Sequence, residues 1–303
     1  MTSMPPSPAL HLAAFALCAT EVVVRAVRLR LLVPGAPHLS LWQAVTINAY
    51  GDAASAVTPG RLGGDPARFL GCRRAGVETP RALAGLAVEA LIDWVLLAVA
   101  TVILGLAFAD TAAAGARHLV TLATGPKARL LVALVLALAI ASAGAARWYR
   151  RHIPTGTLGS LAGAWQRARQ LGWPSVTLAA ALTALSMALR IAILPVLVAA
   201  QPGFAAGAVV LGSFTLLFGQ LVLPTPAGAG AVELGFVGGF AGTMSTAALA
   251  TLLVAWRVYT LILPAGLGAL LFAGEALRGP RRGAAAQEVA APTTSRSPDT
   301  SAS

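Results

Sequence analysis

Five ionisable side chains stand in or beside apolar stretches of this sequence, where a charge needs a reason. Glu89 and Asp93 lie in AVEALIDWVLL. Four residues apart on a helix, they share one face. Arg190 sits inside SMALRIAILPV, and Arg257 inside LLVAWRVYTL with Tyr259 close by. Glu233 follows the stretch PTPAGAG. A charged side chain inside a membrane span costs at least about 2.5–3.5 kcal/mol, so each marks a functional site by default. A buried Arg needs a carboxylate or a phosphate, and Glu233 is a natural partner for Arg190 or Arg257. Arg61 lies in TPGRLGGDPAR, with Asp65 four residues on. Glycines expose backbone N–H groups to an anion, and an Arg there can fork onto a phosphate. The stretch has no Lys-Ser/Thr pair and no strand before it, so it is not a P-loop. The chemistry these residues suit is the holding of a charged headgroup.

Each candidate has a plainer alternative. Glu89 and Asp93 also fit a solvated acidic patch, Arg190 and Arg257 structural ion pairs, and Tyr259 an interfacial aromatic. Arg61 also fits a cytoplasmic loop. Asn48 and Asp52 are weaker candidates, suited to satisfying freed backbone groups. Cys18 and Cys72 form no CxxC, and His11, His38, His118 and His152 are scattered. No metal site, cofactor or catalytic residue is expected, because no Ser-His, Cys-His or clustered Asp arrangement is present.

The elements that position these residues follow from composition. Of 303 residues, 57% are hydrophobic and only 11% charged. A soluble domain carries about 25% charged residues. Mean hydropathy is +0.77. This excludes a soluble domain and predicts an all-α polytopic membrane protein. Apolar segments run over 9–27, 41–57, 82–108, 128–146, 175–200, 205–223, 232–241 and 247–272, consistent with about five to seven spanning helices. The net charge of +11 comes from 22 basic and 11 acidic residues. The basic ones cluster between apolar segments, as cytoplasmic loops require, so nucleic acid is not the expected partner. Arg-rich loops can also hold anionic lipid headgroups.

Basic stretches at 25–30, 61–81, 147–169 and 278–282 are expected in the cytoplasm, and 109–127 and 201–204 outside. Segment 41–57 then has basic flanks on both sides and is expected to dip in and return. Segments 205–223 and 232–241 are expected to do the same from the outer face. Both re-entrant hairpins have a helix-breaking tip, with Pro59, Gly60 and Gly63 in the first and Pro224, Pro226, Gly228 and Gly230 in the second. Pro removes a backbone donor and Gly releases helical restraint. Broken backbone at membrane depth survives only where it is buried or lines a wet cavity. Two breaks entering from opposite faces follow the inverted-repeat plan of transporters; two ordinary extramembrane turns are the alternative. Gly235, Gly238, Gly239 and Gly242 suggest close helix packing.

These motifs resemble the lysylphosphatidylglycerol synthase transmembrane, flippase-like family, which includes the membrane half of the multipeptide resistance factor. TPGRLGGDPAR followed by AVEALIDWVLL matches its first signature, and LPTPAGAGAVELG followed by LLVAWRVYTLILPAG its second. The resemblance covers about residues 20–273. Three departures stand out: Gly64-Asp65 replaces the family's Glu, Ala90 its usual Arg, and Ala227 one of its glycines. The family usually has one more N-terminal span, so a late start codon or a truncation is implied. No cleavable signal peptide is expected, because MTSMPPSPA lacks a positive n-region. The expected organisation is a short N-terminal segment (1–8), the flippase-like domain (9–273) and a disordered cytoplasmic tail (274–303). That tail is not expected to hold the family's aminoacyl-transferase domain.

The resemblance and the candidates together imply a lipid flippase of a bacterial cytoplasmic membrane, with a cytoplasmic C-terminus. Its substrate would be an anionic or aminoacylated phospholipid, or a polyprenyl- or hopanoid-type lipid. Arg61 and Arg257 would hold the headgroup in a cavity between the hairpins. Glu233, Asp93 and Asp65 would balance those charges or meet a cationic part, with Glu89, Arg190 and Tyr259 nearby. A membrane enzyme acting on a lipid phosphate is an alternative. So is a scaffold for a separate synthase or glycosyltransferase.

Overall fold

Ser7 in extended conformation and Pro8 start the first helix, α1 (Pro8–Leu32), since a proline at the first turn has no N–H to lose. The structure is a computed structural model that describes residues 6–33, 39–111, 113, 166, 168–201, 204–221, 223, 225–240 and 244–277. The expected segment 128–146, Pro224, Gly242 and the tail from 278 lie outside these residues. Every element assigned to the described residues is helical.

Helix α2 (Leu41–Val57) opens on a reciprocal cap, with Ser40 Oγ accepting from the Gln43 backbone and Gln43 Oε1 from the Ser40 backbone. A short turn leads into α3 (Gly64–Arg74), and α4 follows (Thr79–Ala107). After the undescribed stretch come α5 (Trp173–Val198), α6 (Ala206–Gly219) and α7 (Ala231–Phe240). The last run is α8 (Thr246–Arg257), a π-helical turn (Val258–Ile262) and α9 (Leu263–Leu277). It continues past residue 273, where the sequence places the end of the domain.

Four runs are long and apolar enough to cross a membrane: Pro8–Leu32, Thr79–Ala107, Trp173–Val198 and Thr246–Leu277. At 1.5 Å per residue, about 20 residues span the hydrocarbon core, and each run exceeds that length. The chain is a multi-pass helical membrane protein. Helices α2 with α3, and α6 with α7, form two helix–turn–helix hairpins with tips at 58–63 and 220–230.

Helix α1 is the mast of the assembly. Its first half, at Ala14 and Cys18, joins an apolar cluster with α5, α6, α7 and α8. Its second half, at Ala26 and Leu29, joins another with α2, α3 and α4. Leu32 completes a third with α4 and α5. Helix α9 lies against α2 so closely that a Cβ on Gly268 would stand 1.9 Å from the Ala49 carbonyl oxygen. The run of glycines in α7 behaves otherwise. Added Cβ atoms on Gly238 and Gly239 would meet nothing within 4 Å among the described residues, so these two do not mark the close packing that the sequence suggests.

Two mid-helix prolines free carbonyls four residues before them, because proline has no N–H to donate. Pro195 frees Ile191, whose carbonyl accepts from Ser213 Oγ of α6 at 2.8 Å. Pro264 leaves the Thr260 carbonyl without its α-helical donor, and Arg190 donates to it at 3.2 Å. A side chain from a neighbouring helix thus satisfies each break, as a membrane interior demands.

Candidate functional site

The two hairpin tips meet. Pro59 and Pro226 form an isolated antiparallel bridge. Gly60 (φ 57°), Gly228 (φ 69°) and Gly230 (φ 84°) take left-handed backbone, and so do two residues with side chains, Arg61 (φ 60°) and Ala227 (φ 49°). A non-glycine residue there costs of order 1–3 kcal/mol and persists only where its surroundings hold it. Thr58 helps to hold the first tip, donating to the Ala54 carbonyl at 2.8 Å and accepting from the Gly63 N–H at 2.9 Å.

The second tip is held by Arg257 and Glu233. Arg257 donates to Glu233 Oε1 through Nε at 2.9 Å and Nη2 at 2.5 Å, and to the Ala227 carbonyl through Nη1 at 3.1 Å. Glu233 Oε2 also accepts from the Gly230 N–H at 2.6 Å, which caps the start of α7. Tyr259, just past Arg257, pairs its hydroxyl with His11 Nδ1 at 3.0 Å.

Beside the first tip lies a cavity of about 420 Å³, within the usual range of ligand sites. Among the sequence candidates, Gly60, Arg61, Asp65, Asp93 and Arg190 line it. Glu89, Glu233, Arg257 and Tyr259 do not. Glu89 is fully buried behind the wall rather than solvated. Arg257 is spent on the second tip, and Arg190 is the mid-helix arginine that reaches the cavity.

Three further arginines complete the lining: Arg25, Arg28 and Arg68. Loop-charge reasoning places them in cytoplasmic loops, but α1 runs on to Leu32 and α3 carries Arg68. A signal was present. Glu21, Arg25 and Arg28 fall at helical spacing within an apolar run, and Glu21 is 2% exposed. Asn48 and Asp52 differ from expectation too. They accept from arginines rather than from freed backbone: Arg68 Nε reaches Asn48 Oδ1 at 3.0 Å, and Arg25 grips both Asp52 oxygens at 2.9 and 2.7 Å.

The charges sort into two networks. In the first, Arg25 bridges Asp52 and Glu21, with its Nε 2.8 Å from Glu21. Arg190 stands 3.5 Å from the same Glu21, and Arg61 4.0 Å from the same Asp52. Three guanidiniums thus share two carboxylates. In the second, Arg28 pairs with Glu89 and, at 2.5 Å, with Asp93. Arg68 pairs with Glu89 at 2.6 Å and Asp65 at 3.5 Å. There, two guanidiniums serve three carboxylates. The cavity therefore has a positive pole at Arg61 and Arg190 and a negative pole at Asp93 and Asp65. Gln220, at the root of the second tip, adds a buried amide oxygen with no hydrogen-bond partner among the described residues.

The model of the lysylphosphatidylglycerol synthase TM region matches residues 1–268. The chain belongs to that family. No curated protein and no solved structure matches the chain. The Pro/Gly parts of the two stretches by which the sequence resembles the lysylphosphatidylglycerol synthase TM region form the two tips that meet at Pro59 and Pro226. The family's membrane-lipid context gives the polar cavity beside them its interest.

Proposed function

We propose that the chain moves a lipid with an anionic headgroup across the cytoplasmic membrane of a bacterium. The two hairpins enter from opposite faces, so their joined tips divide the two sides. The headgroup sits in the cavity and the acyl chains stay in the bilayer. One observation carries the reading: Arg61 and Arg190 face the same cavity with the least complete partners of its arginines. A phosphate is the group that two such guanidiniums hold well. Arg257 and Glu233 serve by fixing the tip, not by touching the lipid. The lipid changes sides without any change in its bonds.

Phosphatidylglycerol, aminoacylated phosphatidylglycerol and a polyprenyl phosphate, each labelled, test the proposal in proteoliposomes that hold the full chain. Protein-dependent movement of at least one of them, lost on Arg61→Gln, is the expected result. Folded protein that moves none of them counts against it.

A further inference from the structure

The five arginines that line the cavity meet five carboxylates, Glu21, Asp52, Asp65, Glu89 and Asp93. Among the described residues this cluster is neutral as a whole, yet divided into a half with one surplus guanidinium and a half with one surplus carboxylate. An anion that settles on Arg61 and Arg190 neutralises the first half. The second half then keeps a negative charge that nothing in the cluster offsets. That excess lies on carboxylates at the cavity wall, and an anion brought into the same cavity is a like charge beside them, which uptake of a proton balances.

We infer that lipid and proton are taken up together: the headgroup anion on Arg61 and Arg190 draws one proton from solvent onto the Asp93 carboxylate. The inference rests on the reading of the cavity as a headgroup site, and it adds a second ligand to that site.

Asp93 is the carboxylate placed to take the proton. Glu21 and Asp52 belong to the other half and both face Arg25. Glu89 is locked between Arg28 and Arg68. The Asp65 side chain is 73% exposed and stays hydrated. The Asp93 side chain is 44% exposed at the cavity wall. From α1 it faces Arg28, which it must share with Glu89. On its own helix, Glu89 lies one turn back on the same face, a second carboxylate beside it. From α3, Arg68 pairs with Glu89, and its charge also acts directly on Asp93. From α5, Thr183 meets the same Arg28 nitrogen with a hydroxyl, and Arg190 lies at the other pole.

The test is calorimetry on the full chain in detergent. The probe is dihexanoyl phosphatidylglycerol, which carries one negative charge and no amine. Titration on the alkaline side of neutrality, in two buffers of different ionisation enthalpy, counts the protons taken up per lipid. The wild type is expected to take up one, with affinity falling about tenfold per pH unit above the Asp93 titration. Asp93→Asn is expected to bind the probe with no uptake and with affinity independent of pH. Wild-type binding without proton uptake overturns the inference, and that count needs no variant. One proton still taken up by Asp93→Asn overturns it as well. Wild-type protein that binds no probe, or binding indifferent to Arg61→Gln, overturns the headgroup reading itself and the inference with it.

Discussion

Pro59 and Pro226, 167 positions apart in the chain, pair across an antiparallel bridge that joins the tips of two hairpins. Neither residue offers an N–H, so the pairing is narrow and leaves each tip able to part from the other. In the proposed transport, these tips separate to let a headgroup pass. Residues paired in this way have Cα atoms about 4.5–5.5 Å apart, within reach of a disulfide. The double variant Pro59→Cys and Pro226→Cys is expected to cross-link under mild oxidant and to stop lipid movement until reduced. Cys18 and Cys72 are buried and should not interfere. Cross-linked protein that still moves lipid would show that the tips are not the gate.

The second tip carries a strain that a substitution relieves. Ala227 holds φ 49°, a conformation that costs a side-chain-bearing residue about 1–2 kcal/mol. Its carbonyl, not its methyl, makes the contact with Arg257. Ala227→Gly keeps that contact and is expected to raise thermal stability by up to about 1 kcal/mol. Arg257→Ala removes the anchor and is expected to lower it by about 1.5–3 kcal/mol, the worth of hydrogen bonds to a charged group. Thermal unfolding in detergent reads both.

Glu89 is 1% exposed and receives both Arg28 and Arg68. Glu89→Gln leaves two guanidiniums in a buried site with one charge fewer to meet them. Breaking a buried pair in this way costs about 3–5 kcal/mol. The expected outcome is a sharp loss of folded protein in size-exclusion profiles. Glu89→Asp, which keeps the charge, is expected to retain more than Glu89→Gln.

Gly268→Ala drives a methyl into the Ala49 carbonyl. A backbone atom cannot rotate aside, so α2 and α9 must separate. Overpacking of this kind costs about 1–3 kcal/mol or more. Substitution at Gly274 in the same helix, where a Cβ would meet nothing within 4 Å, is expected to be tolerated. Comparing the melting temperatures of Gly268→Ala and Gly274→Ala checks the contact.

The two turns were legible because Pro and Gly cluster there, whereas a single Pro195 in α5 or the glycines of α7 leave their helices intact. The site was legible only in part. Arg61 and Asp93 announced themselves by motif and by depth. Arg25 and Arg28 were read as loop residues because they stand near the end of an apolar run, until α1 is seen to continue to Leu32, and Arg68 because the polar helix α3 that carries it lies in a basic stretch. The exchange between Arg190 and Arg257 has a similar cause. Both lie mid-helix, and only the packing of α5 against the π-helical turn shows that one reaches the cavity and the other the second tip. Pairings such as Arg28 with Glu89, 61 positions apart, arise from helix packing and leave no mark in local spacing.

In the proposed function, Arg61 and Arg190 hold the lipid headgroup. The most direct measurement is the transbilayer movement of labelled phosphatidylglycerol in proteoliposomes with wild type, Arg61→Ala and Arg190→Ala at matched amounts of folded protein. Loss of a charge-assisted hydrogen bond is worth about 1.5–3 kcal/mol, so each variant is expected to slow movement by at least about tenfold. Movement at the wild-type rate in both folded variants would show that these two arginines do not hold the headgroup.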